Sequence, residues 1–406
     1  MPSDRPGTDG FGALAGVRVI EVGQMIAGPF AGHLLADHGA DVIKVESQDG
    51  DVMRGWGAQY KGLGLFWPAI SRNKRSVTLD LRTTRGQSLL RALAATADVL
   101  IENFRPGTME AWGLGPSELW QANPRLIIAR VSGYGQTGPY SKRAGFGAIG
   151  EAMGGIRHLT GEPGRLPVRM GISLGDALAA TQGVIGVLLA LYARVAGRAA
   201  GQMIDVAIYE AVWAYMESTI GDYDKLGLVR EPTGARLAGV APSSVYPTAD
   251  GIWVLIAANR DTVFRRLALA MGSPDLAWDP QYQTHEARGR HQNELDDLIT
   301  RWSIGEDSSE LLKTLDEHGV PAGRIYTAAD IASDPHYQAR EMIVHVRNDL
   351  IEEDVAMPGI VPKLSSTPGL VRTGGPLLGE HNVEVFVSEL GIPMQEYEDL
   401  VRSRII

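Results

Sequence analysis

The chain of 406 residues contains no cysteine. This absence excludes disulfide bonds, thiolate zinc sites, iron–sulfur clusters and a cysteine nucleophile. Basic residues are also in the minority, because 38 lysines and arginines face 48 acidic residues and leave a formal net charge of -10 at pH 7. Such a balance argues against a nucleic-acid partner, which needs a basic face to neutralise phosphates. A small anionic ligand at a local basic cluster is still compatible with it.

Long apolar runs and several site motifs are missing as well. No apolar run approaches the roughly 20 residues needed to cross a bilayer, and the start, MPSDRPGTDGFG, lacks the pattern of a signal peptide. We therefore expect a soluble cytoplasmic protein without a membrane partner. The nine histidines form no H-E-x-x-H motif or other helical pair, so no metal site is predicted, and His33 and His38 are assigned to packing or surface. No G-x-S-x-G motif is present, which excludes a serine-hydrolase elbow.

The order of apolar segments predicts an α/β fold. After a polar lead of about ten residues, expected to be disordered, the strand VRVIEV, the helix AGPFAGHLLADHG and the strand ADVIKVE form a βαβ unit. The same alternation of predicted strands and helices recurs in SVTLDL, RGQSLLRALAATA, DVLIENF and RLIIARVSGYG. Repeated βα units predict a largely parallel sheet flanked by helices, so we interpret this part as a Rossmann-like large domain.

The composition and the predicted elements of the sequence change after this part. From about Lys225 to Pro247 the chain is punctuated by glycine and proline, and WVLIAA, polar helices and RIYTAAD then predict a smaller α+β unit. The predicted divisions are residues 1–224, 225–334 and 335–406. The last of these is a loop-rich segment that ends in a helix around MQEYEDLVRSRII.

One carboxylate stands out in the stretch GISLGDALAATQGVIG. Asp176 follows Gly175 and precedes an apolar run that predicts a helix to about Val195. Aspartate is a favoured helix N-cap, which gives a purely structural explanation. Alternatively, Gly175 and the helix start hold the carboxylate beside backbone N–H donors that stabilise negative charge in a reaction. The residues alone leave both explanations open, and one residue can serve both.

Two further patterns have weaker implications. The stretch GFGAIG (Gly145 to Gly150) matches G-x-G-x-x-G, but no strand precedes it and no acidic residue follows about 20 positions later, so a nicotinamide site is not expected. A glycine-rich turn into a closely packed helix explains it better.

Basic residues in SRNKRS, in IENFRPG and at Lys44 lie next to predicted strand ends. They are either solvated surface or a site for a phosphate-rich ligand.

Taken together, the chain resembles the family III CoA-transferases, which include formyl-CoA, carnitine and bile-acid CoA-transferases and the α-methylacyl-CoA racemases. The resemblance rests on motifs that span nearly the whole chain in order: LAGVRVIEVGQMIAGPFAGHLLADHGADVIKVE, GDVMRGWG, NKRSVTLDLR, DVLIENFRPGTMEAWGLG, RLIIARVSGYGQTGPY, VRMGISLGDALAATQGVIG, GQMIDVAIYEAV, APSSVYPTADG, GVPAGRIYTAADIASDPH and LGEHN. It implies a large domain built from both termini, a small domain between them, and a homodimer of interlocked chains.

The resemblance also implies roles for individual residues. It places the family's nucleophile on Asp176, with backbone donors for oxyanions from Gly175 and from the Gly239 segment (LAGVA). Coenzyme A is implied as the carrier, and the implied positions for binding it are Lys74, Arg75, Asn103, Phe104 and Arg105, with Ile26 and Ala27 near the nucleophile. Ile26 stands where formyl-CoA transferase has a glutamine. The positions of the racemase's proton-transfer pair are Phe146 and Gly147, which carry no ionisable group.

The resemblance therefore favours a CoA-transferase over a racemase, while a non-catalytic CoA-binding protein is a third possibility. The run GFGAIGEAMGGIRHLTGEPGRLPVRMG is similar to the branch that transfers CoA from succinyl-CoA to dicarboxylic acids. A dicarboxylate needs a cation for its distal carboxylate, and Arg169 or Arg157 is the candidate. The structural alternative is that Arg169 pairs with a surface acid.

Overall fold

The computed structural model describes residues 11–406, so the polar lead expected to be disordered lies outside the described residues. The chain forms two compact units. Unit 1 comprises the described residues up to Ile156, Met170–Ser218 and Pro335–Ile406, and unit 2 comprises Arg157–Arg169 and Thr219–Asp334. The segment 157–169, placed in the large domain from sequence, groups with unit 2, where the Gly161 carbonyl accepts from Gly234 N–H at 2.9 Å.

The strands are β1 (Arg18–Glu21), β2 (Asp41–Glu46), β3 (Gln59–Tyr60), β4 (Leu63–Gly64), β5 (Lys74–Thr78), β6 (Val99–Glu102), β7 (Ile127–Ser132), β8 (Gln202–Ala207), β9 (Ser243–Pro247), β10 (Trp253–Ala257), β11 (Ala322–Arg324), β12 (Ile343–Asn348) and β13 (Glu353–Pro358). The α-helices are α1 (Ala27–Asp37), α2 (Phe66–Ser71), α3 (Thr84–Ala95), α4 (Thr108–Ala111), α5 (Pro116–Ala122), α6 (Gly147–Met153), α7 (Ile156–Leu159), α8 (Leu174–Val195), α9 (Ile208–Trp213), α10 (Thr219–Leu226), α11 (Asp261–Ala270), α12 (His285–Arg290), α13 (Gln292–Ser303), α14 (Ser308–Glu317), α15 (Ala328–Ser333), α16 (Pro335–Ala339) and α17 (Met394–Arg402). Short 3₁₀ turns at Val52–Gly55 and Pro274–Ala277 and a π-helix at Val383–Glu389 complete the helical segments.

A six-stranded sheet with the order β5-β2-β1-β6-β7-β8 forms the centre of unit 1. All neighbouring strands in it are parallel, which confirms the predicted parallel sheet. The chain moves outward from β1 through β2 to β5 on one side and from β6 to β8 on the other. The strand order therefore reverses between β1 and β6, and open α/β sheets bind ligands at the carboxyl ends of the strands at such a point.

Both faces of this sheet are covered. Val19 and Ile20 are consecutive in β1, yet they belong to different cores, because successive side chains of a strand point to opposite faces. The core that includes Ile20 also contains residues of α3 and the C-terminal Leu400, whereas the core that includes Val19 contains residues of α1 and α8. Burial on both faces explains why the strands read as short apolar runs rather than as alternating patterns.

Unit 2 is smaller and has its own core. Its sheet has the antiparallel order β11-β10-β9, and apolar side chains of α11, α13 and α14 pack on it. The remaining strands form two hairpins, β3 with β4 and β12 with β13, within unit 1.

Helix α8 is more apolar than expected from the sequence. It is long and apolar enough to span a membrane by length and composition, with a mean hydropathy of 1.7, so the expectation of no such segment is wrong. Core helices of soluble proteins pass the same test, and Ala180, Val187 and Ala190 of α8 are buried in the core beside α1. The other side of α8 leaves Leu189, at 64% exposure, and Tyr192 uncovered.

Candidate active site

Asp176 lies in the first turn of α8. The helix begins at Leu174 with Ser173 at the N-cap, so Asp176 is the third helical residue and not the cap. The structural explanation of Asp176 as an N-cap is therefore wrong, although its charge still lies at the positive end of the helix dipole. No hydrogen bond from the Ser173 side chain caps the helix.

Helix α6 approaches this turn closely through Gly147. A Cβ atom added to Gly147 would lie 2.1 Å from Oδ2 and 2.7 Å from Cγ of Asp176, far inside van der Waals contact. Glycine is thus required at 147 for the observed position of the Asp176 carboxylate. This arrangement leaves no space for a larger side chain at position 147. Phe146, its neighbour, is the N-cap of α6 and is 62% exposed.

The glycines of α6 confirm the interpretation of GFGAIG as a turn into a closely packed helix. A Cβ at Gly150 would meet Ile208 at 2.5 Å, and one at Gly154 would meet Val212 at 2.6 Å. Gly147, Gly150 and Gly154 therefore follow one face of α6 and its C-terminal cap, which lies against α8 and α9. This glycine-rich stretch therefore packs α6 closely beside Asp176.

Gly175 is the first of the two residues expected to supply oxyanion donors. Its N–H donates to Oε1 of Glu151 at 3.1 Å, and Glu151 is 2% exposed. The Gly175 N–H is therefore already engaged, which corrects the expectation that it is available to an oxyanion. Glu151 was not among the site residues predicted from the sequence. The signal that could have revealed it is a lone acid one helical turn after Gly147 in a segment of glycine, alanine and methionine.

Gly239 is the second expected donor, and it belongs to unit 2. It has a φ of 73°, which favours glycine, and its N–H donates to Oε1 of Gln292 at 3.3 Å. This N–H is engaged too. The guanidinium of the fully buried Arg288 donates to the Ala241 carbonyl at 3.0 Å and so fixes the end of the same loop.

The loop between β1 and α1 lies at the point where the strand order reverses. The Asn103 side chain accepts from Gln24 N–H and donates to the Gln24 carbonyl, both at 2.8 Å. The next residue of the loop, Met25, has a φ of 63°. Its N–H lies 3.2 Å from each carboxylate oxygen of Asp51. Asn103 thus fixes the loop that leads into Ile26 and Ala27, where α1 begins.

The next two residues after Asn103 have different environments. Phe104 is partly buried, with its ring edge-on to Trp112 at 5.2 Å between centroids. Arg105 is exposed, and no carboxylate among residues 11–406 pairs with it. Of the cations proposed to bind phosphate, Arg105 is therefore the one that is exposed and without an acidic partner in the described chain.

Lys74, unlike Arg105, is buried and paired with an acidic residue. Its ammonium is completely buried and lies 2.7 Å from Oε2 of Glu21 and 2.7 Å from the Pro29 carbonyl. Burial lowers the pKa of Lys74, and the nearby Glu21 opposes this effect in part. Lys44 binds the other oxygen of Glu21 at 3.0 Å and Asp51 at 2.9 Å. Lys74 therefore belongs to a buried ion cluster beneath the β1–α1 loop and is not presented to a ligand, which corrects its assignment as a phosphate contact.

Arg75 is also committed to acidic partners. Its guanidinium donates to Asp41 at 2.8 Å and 3.0 Å and binds Glu389 at 2.5 Å and Glu384 at 2.9 Å. Burial alone would lower the pKa of Arg75, but Asp41 and Glu389 outweigh it and raise the pKa. The sequence-based phosphate role of Arg75 is corrected in the same way, because this side chain links β5 to the C-terminal segment.

The two candidate cations for a distal carboxylate belong to unit 2. Arg169 is exposed and Arg157 is half-buried, and both have interactions with other residues.

Within residues 11–406 no group of three or more histidine, aspartate or glutamate side chains is arranged to hold a metal ion.

A cavity of about 310 Å³ lies elsewhere in unit 1 and contains none of the predicted site residues. It is lined by Phe30, His33, Leu34, Asp37, Phe66, Ala69, Ile70, Arg72, Pro358, Gly359 and Val361.

Comparison with known proteins gives a consistent result. A sequence model of CoA-transferase family III matches residues 14–382. The succinyl-CoA–D-citramalate CoA-transferase of Chloroflexus aurantiacus is 53% identical over the full length of both chains. The succinate–glutarate CoA-transferase of Agrobacterium fabrum is 36% identical over 95% of this chain and 96% of its own. A CaiB/BaiF family protein from Brucella suis has a similar crystal structure, with a TM-score of 0.83, 34% identity, and coverage of 94% of this chain and 100% of that one.

Proposed function

Because this chain belongs to CoA-transferase family III, we propose that it transfers CoA from succinyl-CoA to a small dicarboxylic acid with Asp176 as the nucleophile. The observation that carries the role of Asp176 is its carboxylate in the first turn of α8, in a space that exists only because residue 147 is glycine. The family assignment makes the protein a CoA-transferase. The succinyl donor and the dicarboxylate acceptor are proposals from relatives whose names include succinyl-CoA, citramalate, malate and glutarate.

The reaction is proposed to pass through two covalent states of Asp176. A carboxylate oxygen attacks the thioester carbonyl, the C–S bond breaks with its electron pair on sulfur, and a mixed anhydride and CoA thiolate result. The thiolate then attacks the Asp176 carbonyl, the anhydride C–O bond breaks, and succinate leaves while an aspartyl-CoA thioester forms. The acceptor carboxylate attacks this thioester, and the released thiolate attacks the acceptor carbonyl of the new anhydride. This regenerates Asp176 with no net proton transfer.

CoA is proposed to bind at the carboxyl ends of β1 and β6. Ile26 and Ala27 begin α1 there, Asn103 fixes the preceding loop, and Phe104 and Arg105 follow β6. Arg105 is the proposed contact for a CoA phosphate, because it is exposed and has no acidic partner within residues 11–406. Lys74 and Arg75 stabilise the structure beneath this edge and are not part of the proposal.

The acceptor's second carboxylate is proposed to bind Arg169, with Arg157 as the alternative. Replacing Arg169 with methionine is expected to raise the KM for dicarboxylates about tenfold or more and to spare a monocarboxylate, since only the former loses a charged partner. An equal loss for both kinds of acid would exclude this role. Arg157→Met, measured in parallel, distinguishes the two arginines.

We also propose that the protein is a cytoplasmic homodimer of interlocked chains, each with a Rossmann-like large domain and a smaller domain. The strand order with its reversal between β1 and β6 supports the Rossmann-like description. The exposed side of α8, with Leu189, Tyr192 and Val195, supports a partner surface. Light scattering after size exclusion is expected to give twice the chain mass of 43.7 kDa. A single-chain mass at micromolar concentration would exclude the dimer.

Mass spectrometry of the enzyme incubated with succinyl-CoA, without acceptor, tests the proposed function. We expect a CoA adduct, or a hydroxamate after trapping with hydroxylamine, on the peptide that contains Asp176. The same peptide of Asp176→Ala should stay unmodified. If wild-type Asp176 is unmodified with succinyl-CoA but modified with another acyl-CoA, the donor assignment is wrong. If no acyl-CoA of a broad panel modifies Asp176, the covalent mechanism is wrong.

A further inference from the structure

The β1–α1 loop contains a residue in an unfavourable backbone conformation. Met25 has a φ of 63°, in the left-handed region that glycine adopts readily and other residues rarely adopt. Unlike asparagine or aspartate, methionine has no short polar side chain that stabilises this conformation locally. A strained residue of this kind persists only where surrounding groups hold it, and such residues cluster at functional sites. Met25 must therefore be held by contacts from outside the loop.

A buried carboxylate holds the backbone of Met25. Asp51 is 3% exposed, and the Met25 N–H donates to both of its oxygens at 3.2 Å. The same carboxylate accepts the Met53 N–H at 3.0 Å, which joins the loop to the turn after β2. The Met25 side chain packs against the apolar cluster that contains Met53 and Trp67. This turn and its cluster thus fix both the backbone and the side chain of Met25.

The charge of Asp51 is balanced by a cation beneath the loop. The ammonium of Lys44 is completely buried and lies 2.9 Å from Asp51, 3.0 Å from Glu21 and 3.0 Å from the Gly23 carbonyl. These three contacts use all three donors of the ammonium group. Burial alone would lower the pKa of Lys44, but Glu21 and Asp51 outweigh it and raise the pKa. The network therefore holds the loop at both Gly23 and Met25.

Ile26 and Ala27 follow Met25 at the start of α1. Ala27 is 3% exposed and packs in the same core as Ala179 of α8. Ala179 lies about one helical turn after Asp176 on that helix. The φ of Met25 sets the direction in which the chain enters α1. A change of this angle would therefore displace the start of α1 relative to the turn that carries Asp176.

We propose that Asp51 is a positioning residue for the acyl-CoA substrate. It holds Met25 in the left-handed conformation and thereby places the start of α1 against the substrate. This inference rests on the proposed function, because it takes Ile26 and Ala27 as part of the CoA site. Asp51 acts through the loop, contacts no substrate atom, and makes and breaks no bond.

Asp51→Asn weakens the hold on Met25, because an amide offers one acceptor oxygen in place of two. It also lowers stability, since Lys44 loses a buried counter-charge. Asp37→Asn is the matched control for that loss. Asp37 is 2% exposed, is the last residue of α1 and pairs with Arg72 at 2.6 Å. This control removes a buried charge at the opposite end of the same helix.

A second substitution separates positioning from stability. Glycine adopts a positive φ without help from an acceptor. Met25→Gly added to Asp51→Asn should therefore restore the loop but not the charge balance of Lys44. Met25→Ile and Met25→Leu form a further pair that keeps the ion network intact. The two side chains have equal volume, but β-branched isoleucine is far less compatible with a positive φ than leucine.

The measurement is the rate of adduct formation on the Asp176 peptide as a function of acyl-CoA concentration, together with the melting temperature. Succinyl-CoA is used first, and otherwise the acyl-CoA that modifies the wild type. This assay needs no acceptor and gives a maximal rate and a half-saturating concentration. We expect Asp51→Asn to raise the half-saturating concentration about tenfold and to keep the maximal rate within about threefold, because the loop moves while α8 does not.

The other variants should divide in a way that a purely structural role does not explain. Asp37→Asn should melt at a lower temperature and keep the wild-type half-saturating concentration. Met25→Gly with Asp51→Asn should return to within about threefold of the wild-type concentration while melting as low as Asp51→Asn. Met25→Ile should require about tenfold more acyl-CoA than Met25→Leu.

Two results would overturn the inference while the wild type still forms the adduct. One is equal half-saturating concentrations for Met25→Ile and Met25→Leu, which decides the question even if Asp51→Asn does not fold. The other is a double variant no better than a folded Asp51→Asn. Either would make Asp51 a part of the ion network alone. If the wild type forms no adduct with any acyl-CoA, the proposed function fails, and the inference fails with it.

Discussion

The α-carbon of Gly147 lies so close to Asp176 that a single methyl group on it would fall 2.1 Å from Oδ2 of the carboxylate. Real Cβ atoms do not approach other atoms at this distance, so either the Asp176 side chain or helix α6 would have to move. Gly147 has no positive φ, and backbone strain therefore does not confound a substitution there. The contact makes residue 147 a direct test of where the proposed nucleophile, Asp176, must lie.

We expect Gly147→Ala to lower kcat about 100-fold, because a displacement of about 1 Å at a reacting group costs this much. The KM for the acyl-CoA and the melting temperature should change little, since alanine favours the helix more than glycine does. Steady-state kinetics and thermal melting measure these quantities. Gly221→Ala in α10, where a Cβ meets nothing within 4 Å, is the matched control and should retain full activity. Full activity of Gly147→Ala would show that Asp176 works equally well in another position.

Lys74→Met is expected to destabilise the protein by about 3–5 kcal/mol, because it leaves a buried oxygen of Glu21 without its cation. Chemical denaturation measures this loss, and the CoA affinity of the remaining folded protein should be unchanged. Arg105→Ala is the contrasting variant, with unchanged stability and about tenfold weaker CoA binding. A stable Lys74→Met protein with weakened CoA binding would restore the sequence-based role of Lys74.

Lys74 also illustrates what the sequence could and could not predict. The β strands, the helices and the parallel sheet follow from apolar periodicity, which local sequence determines. Whether a lysine at a strand end faces a ligand or an internal acid depends on Glu21, which is 53 positions earlier and adjacent only after the sheet has formed. Glu151 and Gln292 were missed for the same reason, since each accepts an N–H from a residue far away in the sequence.

Asn103→Ala removes the acceptor for Gln24 N–H and the donor for the Gln24 carbonyl. The β1–α1 loop would then be fixed on the Asp51 side alone. If CoA binds at this edge, its Kd should rise by up to about 30-fold, since two hydrogen bonds contribute about 1 kcal/mol each. Isothermal titration with CoA measures the change, and Asn293→Ala in α13 is a control in unit 2. Unchanged CoA affinity in Asn103→Ala would exclude the loop as part of the site.

His33 makes the stability of unit 1 depend on pH. Burial, together with the nearby Arg72 and Lys74, holds the pKa of His33 well below its usual range, although the Ala69 carbonyl opposes this in part. Below about pH 6.5 the unfolded chain therefore binds a proton that the folded chain does not bind. This contribution is fully present above that pH and is lost as the pH falls, by up to about 1.4 kcal/mol for each pH unit.

His33→Gln should remove this dependence, because glutamine does not titrate. The measurement is the free energy of unfolding of both proteins from pH 7 down to pH 5, and the wild type should lose more stability than the variant over this range. His345→Gln, at an exposed position of β12, should follow the wild type. Parallel curves for the wild type and His33→Gln would mean that the folded protein protonates His33 as readily as the unfolded chain does. The structure makes this outcome unfavourable, because the His33 imidazole is buried against the Asp37–Arg72 pair.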